Sequence, residues 1–404
     1  MKAGIQYVDG LAIKDICENG LGNIELNIND YDKAYEIHSV GGTISGIYFS
    51  LETMLSKTES KKCIDNIVKV SEENKVLEKN KVIEQKDIHK EQEVLKENAR
   101  NIFKDIVTKA VQCKASYIVI ETERVNCASV IEQLVSESLS WLKDVNVCIC
   151  IENGYKYHNK RFYHNDYSDG TMLVPLVERL RVLCPSVDWK ICINIGHTNL
   201  LGMNVRDMIS VCAGNIGLVH ASDNDGITDQ HQMPYTFTTG RGYPSTDWVH
   251  SIGGLKKAGY KGYYMFDTRG LWRRTPAGLH KVMLGLIRAL TDEWNESCYR
   301  TEEYLNQSGK QLILFGSGRM AQSYMEAWGD KYRPDFLVDN NSAKWGQKFM
   351  GIPIKPPEEI LTLLPDERNV WICNINYDII GKQLDDMGIE YRCYWDHYHM
   401  DYIV

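Results

Sequence analysis

The chain has 404 residues, with 46 basic and 54 acidic side chains and a formal net charge of −8 at pH 7. An acidic balance argues against a general nucleic-acid binder, which needs a basic surface to displace counterions. The hydrophobic content of 43% and the charged content of 25% are ordinary for a globular protein. At roughly 150 residues per domain, the length predicts two or three domains, or a long α/β barrel with a smaller companion.

Neither a membrane span nor a disulfide framework is expected. No apolar run reaches the roughly 18 residues needed to cross a bilayer, and the start of the chain lacks the apolar core of a secretory signal. The 12 cysteines are scattered without a CxxC pair, and several lie in apolar runs such as VCICIENG (147–154). Buried, reduced thiols in a cytoplasmic protein are therefore predicted.

Eight short apolar runs alternate with helical patterns over roughly the first 290 residues, as in long α/β barrels. Several runs are apolar almost throughout, which is typical of strands buried on both faces. Eight strands alternating with helices predict a closed (β/α)8 barrel, also called a TIM barrel. The runs are Ala3–Val8, Ile24–Ile28, Tyr35–Val40, Ser116–Thr122, Val145–Glu152, Trp189–Ile195, Ile216–Ser222 and Gly262–Asp267.

The segment 57–98 departs from this rhythm, because Lys and Glu dominate it and apolar residues are sparse. Leu77, Ile88, Leu95 and Ile102 form a partial helical stripe, which predicts a long charged helix inserted into the barrel or extending it. A solvated face is the simpler interpretation of its charges. A dimerising or partner-binding helix is the alternative.

A polar stretch, EWNESCYRTEEYLNQSGK (293–310), marks the predicted joint between domains. Residues 1–295 are the predicted barrel, 296–309 the linker and 310–404 a smaller domain. The smaller domain begins with a strand, a Gly turn and a helix in QLILFGSGRMAQ, and DFLVDNN and NVWICNINY follow as further strands. This order predicts a small Rossmann-like α/β domain.

The turn of that domain carries a partial dinucleotide fingerprint. Gly316, Gly318 and Ala321 form GxGxxA, and Asp339 ends the next predicted strand. Glycines permit close approach of a pyrophosphate and the carboxylate suits a ribose hydroxyl, so NAD or a nucleotide sugar is a candidate ligand. A structural or docking module is the alternative. The segment also resembles small Rossmann-like domains attached to bacterial sugar-modifying and surface-glycan enzymes, in which VDNN, KWG and G-x-PI recur.

Ligand-type side chains terminate successive predicted strands of the barrel. Glu152 ends the fifth run, Asn194 and His197 follow the sixth, His220 lies in the seventh and Asp267 ends the eighth. In a parallel barrel these positions meet at the carboxyl-end rim, where functional side chains lie. Carboxylates, an amide oxygen and imidazoles together predict a divalent metal site.

The motifs occur in an order that resembles the xylose-isomerase-like barrel superfamily. This superfamily includes sugar isomerases and epimerases, inosose-dehydratase-type lyases and endonuclease-IV-type AP endonucleases. The resemblance covers roughly residues 1–290. The motifs are IENG, NIGHTNLLG, LVHASDNDGITDQH, a GRG and DW stretch, and GYKGYYMFDT.

The resemblance implies the metal ligands Glu152, Asn194, His220 and Asp267. Asn194 stands where the family usually has an aspartate, which should weaken metal affinity. Asp267 stands where a glutamate is usual, and its side chain is one methylene shorter. The implied ion is Mn²⁺, Mg²⁺, Co²⁺ or Zn²⁺.

Further site residues follow from the same resemblance. His197 matches the histidine of a DxxH pattern, and Asp229 and His231 match an acidic-x-His pair. His38 matches a third-strand histidine that binds metal in the endonuclease branch. The fourth run continues as ETER (121–124) where that branch has a histidine, so the endonuclease branch is less expected.

The implied reaction is isomerisation or epimerisation of a sugar, a sugar phosphate or a cyclitol in carbohydrate or surface-glycan metabolism. Glu152 and Asp267 would move the proton next to the carbonyl, while the metal stabilises the enediolate. Arg269 lies near the same rim in sequence and is a candidate for holding an anionic substrate, with capping of a helix or exposure to solvent as the alternative.

Three other readings of the barrel stay open at this point. They are a metal-dependent lyase or dehydratase, a phosphodiester hydrolase and a degenerate, non-catalytic barrel. The hydrolase would add His38, His197, Asp229 and His231 as ligands. The superfamily often forms dimers or tetramers, so a homo-oligomer is also expected.

Overall fold

The structure is a computed structural model that divides into two compact units. The first unit comprises Met1–Thr246 and Ala258–Arg288, and the second comprises Asp247–Lys257 and Ala289–Val404. No helix among the described residues is both long and apolar enough to cross a membrane. The described residues are 2–51, 54, 84–123, 129–237 and 246–394, with the backbone alone for 84–96 and 249–250.

Eight parallel strands of the first unit close into a barrel, which confirms the predicted barrel architecture. A separate two-stranded hairpin, β6 (Lys156–His158) and β7 (Arg161–Tyr163), follows the fifth barrel strand. The barrel strands are β1 (Lys2–Gln6), β2 (Asn23–Asn27), β3 (Thr43–Ser50), β4 (Tyr117–Glu121), β5 (Cys148–Glu152), β8 (Asp188–Asn194), β9 (Ile216–Ala221) and β10 (Tyr263–Phe266). Their order around the barrel is β1-β10-β9-β8-β5-β4-β3-β2.

The third barrel strand is not the predicted one. The run Tyr35–Val40 lies largely in a helix, Ala34–Ser39, whose buried residues Ala34 and Ile37 are three positions apart. This spacing places both on one side of a helix. The third strand is instead Thr43–Ser50, which is rich in β-branched and aromatic residues and almost wholly buried.

Helices connect most of the barrel strands. The helix Glu84–Gln112 covers the end of the predicted charged segment, and its buried residues Phe103, Ile106 and Ala110 follow helical spacing. Leu77 and the side chains of Ile88 and Leu95 lie outside the described residues. The other helices of this region are Ile13–Glu18, Ser129–Leu142, Gly170–Leu183, Ile195–Leu200, Val205–Cys212, Trp248–Lys257, Arg269–Arg274 and His280–Trp294, with short 3-10 turns at Ile28–Lys33 and Ala277–Leu279.

A buried layer of mostly apolar side chains lies directly below the polar rim of the barrel. It consists of Tyr48, Tyr117, Val119, Cys150, Cys192, Leu218 and Met265. Side chains alternate along a strand, so residues two positions further on face the same interior. In each of the six contributing strands, the residue two positions beyond the last layer residue is polar, namely Ser50, Glu121, Glu152, Asn194, His220 and Asp267. The packed layer therefore supports the candidate site from below.

The second unit contains a six-stranded sheet of order β13-β14-β12-β11-β15-β16, in which only β13 runs antiparallel to its neighbour. Alternate residues of the central strand enter two apolar clusters, so both faces of the sheet are covered. The strands are β11 (Gln311–Phe315), β12 (Phe336–Val338), β13 (Lys348–Phe349), β14 (Ile352–Lys355), β15 (Arg368–Ile372) and β16 (Arg392–Cys393).

Helical segments accompany this sheet. The segment predicted as a linker contains a π-helical turn, Asn295–Tyr299, and a short helix, Thr301–Leu305. The longer helices are Arg319–Trp328 and Tyr377–Asp386, with 3-10 turns at Ser342–Lys344, Pro357–Thr362 and Pro365–Glu367.

Gly46 of β3 gives a direct test of packing inside the barrel. A Cβ atom there would lie 2.0 Å from Cε2 of the buried Tyr117 ring. We expect Gly46→Ala to lower the free energy of unfolding by about 1–3 kcal/mol, measured by guanidinium denaturation. Gly285→Ala is the matched control, because its Cβ would have its nearest contact 3.7 Å away at Oδ1 of Asn19. Gly285 lies inside the helix His280–Trp294, where alanine is favoured over glycine. We therefore expect Gly285→Ala to raise the free energy of unfolding by about 0.5–1 kcal/mol. Equal stability of the two variants would contradict this packing.

Candidate functional site

Glu152 is an almost fully buried carboxylate of the rim. It ends β5 and is 1% exposed. Its Oε1 accepts a hydrogen bond from Nδ2 of Asn194 at 3.1 Å and lies 2.6 Å from Nδ1 of His220. Its Oε2 is buried and has no hydrogen-bond partner among the described residues. A buried oxygen left without a partner is costly, which makes it a place where a cation or a substrate proton would bind.

His220 is held between two carboxylates. Nδ1 faces Glu152, and Nε2 lies 3.1 Å from Oε1 of Glu25, a fully buried residue of β2. Glu25 also accepts a hydrogen bond from Nε2 of Gln6 at 2.8 Å. Burial alone would lower the pKa of His220, but interactions with the Cys192 side chain and with the Glu25 and Glu152 carboxylates outweigh burial and hold this pKa well above its usual value.

Asn194 caps the helix Ile195–Leu200, and this role fixes the orientation of its amide. Oδ1 accepts hydrogen bonds from the backbone N–H of His197 and from Oγ of Ser222, each at 3.2 Å. The oxygen is therefore engaged, and the amide nitrogen faces Glu152. An aspartate would place a second negative charge there, whereas the neutral amide donates a hydrogen bond instead.

His197 connects the group of Glu152, Asn194 and His220 to a second group formed by Glu123, Tyr155 and Asp229. Its Nδ1 lies 2.7 Å from the carbonyl oxygen of Asn153, and its Nε2 lies 3.3 Å from Oε1 of Glu123. The Tyr155 hydroxyl lies 3.0 Å from Oδ2 of Asp229 and 3.2 Å from Oε2 of Glu123, so the two carboxylates share its one proton as a donor. Burial by itself would lower the pKa of His197, but the hydrogen bond to Glu123 and nearby carboxylates raise it to about 10.

Asp267 also belongs to the network and is fully buried. Arg269 binds it through two hydrogen bonds, Nε to Oδ1 at 2.9 Å and Nη2 to Oδ2 at 3.0 Å. His231 places Nδ1 2.9 Å from Oδ2 of Asp267 and Nε2 3.1 Å from Oδ2 of Asp229. Burial opposes ionisation of Asp267, but Arg269 and His231 hold its pKa well below the usual range.

Glu121 is the least stabilised carboxylate of the rim. It ends β4, and its Oε1 lies 3.6 Å from Nη2 of Arg269, beyond hydrogen-bond distance. Burial raises the pKa of Glu121 to about 8, with Arg269 opposing the rise and Glu152 adding to it. A carboxyl group with such a pKa exchanges protons near neutral pH, as a general acid or base must.

The network as a whole is anionic. Among the described residues, six carboxyl groups face one guanidinium and three imidazoles. With Glu121 protonated, as its raised pKa implies, the other five carboxylates still exceed the four positive charges present when every imidazole is protonated. Buried charge needs compensation, and a divalent cation supplies it compactly. Two groups of residues have possible ligand atoms that lie, within each group, no more than 4.8 Å from one another. The first group is Glu152, Cys192 and His220, and the second is Glu123, Glu152 and His197.

The structure brings together most of the rim residues that the sequence indicates. His38 is the exception: it lies exposed on the helix Ala34–Ser39, which leads into the amino end of β3 and not to the carboxyl-end rim. The GRG stretch (240–242) lies outside the described residues. The residues that meet in one network are Glu152, Asn194, His197, His220, Asp229, His231, Asp267 and Arg269.

Sequence reasoning missed Glu25, Glu121, Glu123 and Tyr155. The signal for Glu25 was a charged residue inside the apolar strand NIELN, because an acidic side chain is almost never fully buried unless it is paired. Glu121 and Glu123 belong to ETER, which was considered only as a departure from a histidine ligand. Tyr155 lies three residues beyond Glu152 and carries no pattern of its own.

Next to the glycine turn of the second unit, the Asp339 carboxylate is already hydrogen-bonded to neighbouring side chains. Gly316 has φ +113°, and a Cβ there would lie 2.5 Å from the carbonyl oxygen of Cys373. Asp339 accepts hydrogen bonds at Oδ2 from Oγ of Ser317 at 2.6 Å and from Nζ of Lys344 at 2.9 Å. A Cβ at Gly318 would meet nothing within 4 Å.

The pair of Asp267 and Arg269 yields a stability prediction. We expect Arg269→Gln to lower the free energy of unfolding by about 2–3 kcal/mol, because Asp267 keeps only His231 as a partner. In denaturation experiments, Asp267→Asn combined with Arg269→Gln should cost less than the sum of the single changes. Arg179→Gln is the control: Arg179 forms an exposed pair with Glu132, worth at most about 1 kcal/mol. Additive effects at 267 and 269 would contradict the pairing.

Comparison with known proteins identifies the fold of the barrel. An L-ribulose 3-epimerase matches with TM-score 0.50 and 13% identity, over 76% of this chain and 99% of that chain. A 3-keto-D-glucoside 4-epimerase from E. coli has TM-score 0.46 and 15% identity, over 72% and 99% of the two chains. A D-psicose 3-epimerase from Clostridium cellulolyticum H10 has TM-score 0.46 and 15% identity, over 73% and 99%.

No curated protein matches the chain by sequence. The model of a protein family, by contrast, matches residues 87–288, which is half of the chain. Its description is that of a xylose isomerase-like TIM barrel, in agreement with the closed parallel barrel of the first unit. The protein therefore belongs to the xylose isomerase-like TIM barrel family.

Proposed function

We propose that the protein is a metal-dependent isomerase or epimerase of a sugar, a sugar phosphate or a cyclitol. The carrying observation is the buried anionic network at the carboxyl ends of the barrel strands. Proton abstraction next to a carbonyl needs a positioned base and a positive charge near the developing oxyanion. The L-ribulose 3-epimerase shares the barrel fold, and its reaction belongs to the proposed class.

Glu152 is the proposed base. Its Oε1 is fixed by Asn194 and His220, so the carboxylate cannot rotate freely, while its Oε2 keeps an unused lone pair. A base held in this way needs little reorganisation before it accepts a proton. Glu152 therefore combines a fixed orientation with a free acceptor atom.

The residues at Glu152 fit a divalent cation. Glu152 and His220 would hold it, and Asn194 and Asp267 are the further ligands that the family resemblance implies. Bound there, Mn²⁺, Mg²⁺, Co²⁺ or Zn²⁺ would polarise the substrate carbonyl and stabilise the enediolate. The anionic surplus of the described network and the closely placed ligand atoms of Glu152 and His220 both support this fit. The amide oxygen of Asn194 is engaged as a helix cap, so Asn194 orients Glu152 in the absence of an ion.

Arg269 controls whether Asp267 serves as the second base. A carboxylate bound through both oxygens to a guanidinium is a poor base. A substrate with a phosphate or carboxylate group would compete for Arg269 and release Asp267. Glu121, whose Oε1 has no hydrogen-bond partner among the described residues, is an alternative proton carrier.

A metal-dependent lyase or dehydratase is the second candidate. Elimination of water from the same enediolate requires an acid that protonates the leaving hydroxyl. The pKa of His197 is raised to about 10 and that of His231 to about 9, with carboxylates outweighing burial in both. Both imidazoles are therefore protonated at neutral pH and available as such an acid.

Glu152→Gln tests the proposed base. The amide keeps the shape of the side chain but accepts no proton, so we expect turnover of a ketose or sugar-phosphate substrate to fall by at least about 100-fold. The measurement is substrate and product analysis by NMR, with the melting temperature as a check on folding. Glu178→Gln, on the exposed side of the helix Gly170–Leu183, is the control and should keep full activity. Full activity of Glu152→Gln would refute the assignment.

The second unit is proposed to be a Rossmann-like module. Supporting this are the parallel order of β14, β12, β11 and β15 and the glycine turn between β11 and the helix Arg319–Trp328. NAD or a nucleotide sugar would bind over Gly316 and Gly318, with Asp339 at the ribose. Asp339 would first have to exchange its contact with Lys344 for one to the ligand. Without such binding, the module serves structure or docking.

Gly318→Val separates these two roles. The protein leaves open space at Gly318, so the valine should not disturb folding but would block a pyrophosphate that approaches the backbone. If the module binds NAD(H) or a UDP-sugar, calorimetric titration should give heat with the unaltered protein and none with Gly318→Val. Binding that is unchanged in the variant would contradict the proposed position of the nucleotide.

A further inference from the structure

We propose that Cys192 is a metal ligand together with Glu152 and His220, so that this site takes a thiophilic ion such as Zn²⁺ or Co²⁺ in preference to Mg²⁺. The inference rests on the proposed function in placing a cation at Glu152. It differs from the ligand set implied by the family resemblance, because it supplies a thiolate from within the barrel. Asn194 becomes a positioning residue in this arrangement.

The barrel register brings the three side chains together. Cys192 lies on β8 directly beside Glu152 of β5, and Asn194, two residues further along β8, is paired with His220 of β9. Sγ of Cys192, a carboxylate oxygen of Glu152 and a ring nitrogen of His220 all lie within 4.8 Å of one another. The three residues are at most 1% exposed. The cluster is thus formed by strand residues alone, where the rim meets the layer below it.

The chemistry of the three ligands is that of a catalytic zinc site. Thiolate, imidazole and carboxylate are the usual protein ligands of Zn²⁺, and three of them leave a fourth position for substrate or water. Thiolates also favour zinc over magnesium, which prefers oxygen ligands. A thiolate at position 192 would replace the negative charge that is lost where Asn194 stands in place of an aspartate.

Two independent observations favour an ion between Glu152 and His220. The buried Oε2 of Glu152 has no hydrogen-bond partner in the described part of the chain. Nε2 of His220 lies 3.1 Å from Oε1 of Glu25, which leaves Nδ1 as the nitrogen that faces Glu152 and the candidate site. A carboxylate that holds the far nitrogen of a ligating histidine is a recurring feature of zinc sites. Glu25 is therefore the positioning residue for His220.

Another thiol of the barrel interior serves as a matched control. Cys150 is equally buried and lies in the same interior layer, two residues before Glu152. Its Sγ lies 3.8 Å from Sγ of Cys148. Cys150 does not belong to either group of ligand atoms found in the described residues. A serine at 150 should thus change the barrel interior without removing a ligand.

Cobalt loading of the full-length protein tests the proposal. With Co²⁺ alone, we expect a sulfur-to-cobalt charge-transfer absorption in the near ultraviolet, present in the unaltered protein and in Cys150→Ser but absent in Cys192→Ser. Zn²⁺ affinity of Cys192→Ser, measured by competition with a chelating dye, should fall by at least about tenfold. Bound Co²⁺ without this absorption, or an absorption that persists in Cys192→Ser, would overturn the thiolate ligand.

X-ray absorption at the zinc edge gives the same answer without a variant, in case Cys192→Ser fails to fold. The proposal requires a sulfur neighbour at about 2.3 Å from zinc. A shell of nitrogen and oxygen alone would overturn it, as would failure of the protein to bind either ion. Metal-dependent turnover with an all-nitrogen-and-oxygen shell would overturn the thiolate ligand and leave the proposed function standing. A sulfur neighbour at zinc without turnover of any sugar would support the thiolate ligand and overturn the proposed function.

Discussion

An excess of buried negative charge at the barrel mouth is the constraint on which the rest of the site depends. Among the described residues, six carboxyl groups converge there, and Arg269 is the one guanidinium that contacts them. The protein limits the cost by drawing three imidazoles into contact with carboxylates, which raises the pKa of each. Such protons are exchangeable for a metal ion, because ligands must lose them when the ion binds. An ion bound at the proposed site would therefore take the place of these protons.

The closed barrel explains why these charges tolerate burial. The layer of Tyr48, Tyr117, Val119, Cys150, Cys192, Leu218 and Met265 fills the barrel below the rim, and the polar side chains follow two positions further along the same strands. Strands fix the direction of each side chain more tightly than loops do. The distances within the network are consequently short, as between Glu152 and His220. Asp229 and His231, by contrast, come from the connection after β9, and Arg269 begins a short helix after β10.

The sequence was sufficient for the barrel and for most of its rim, but not for all of it. Glu152, Asn194, His220 and Asp267 were recognisable because each ends or follows an apolar run, and a strand end has a defined place in a parallel barrel. Tyr35–Val40 was misread because a short helix with two buried residues resembles a half-buried strand, so His38 was misplaced.

Interactions between distant residues account for the rest. The contact of Glu25 with His220 joins residues 195 positions apart and depends on strand register. The two hydrogen bonds from Arg269 to Asp267 depend on one rotamer of the arginine side chain, and no sequence spacing predicts them. Likewise, nothing in the local pattern around Cys192 shows that Glu152 lies beside it on the next strand. Strand register and barrel closure bring the first and third pairs together, whereas Asp267 and Arg269 are two positions apart in the chain.

Solvent-deuterium incorporation tests the central claim most directly. The metal-loaded protein would be incubated in D₂O with L-ribulose, D-tagatose, D-allulose, their phosphates and inososes, and the sugars examined by proton NMR. Abstraction of a proton next to the carbonyl predicts loss of that carbon's proton signal for at least one compound, abolished by chelation of the metal. A protein that holds a stoichiometric divalent ion and exchanges no proton on any of these compounds would contradict the account.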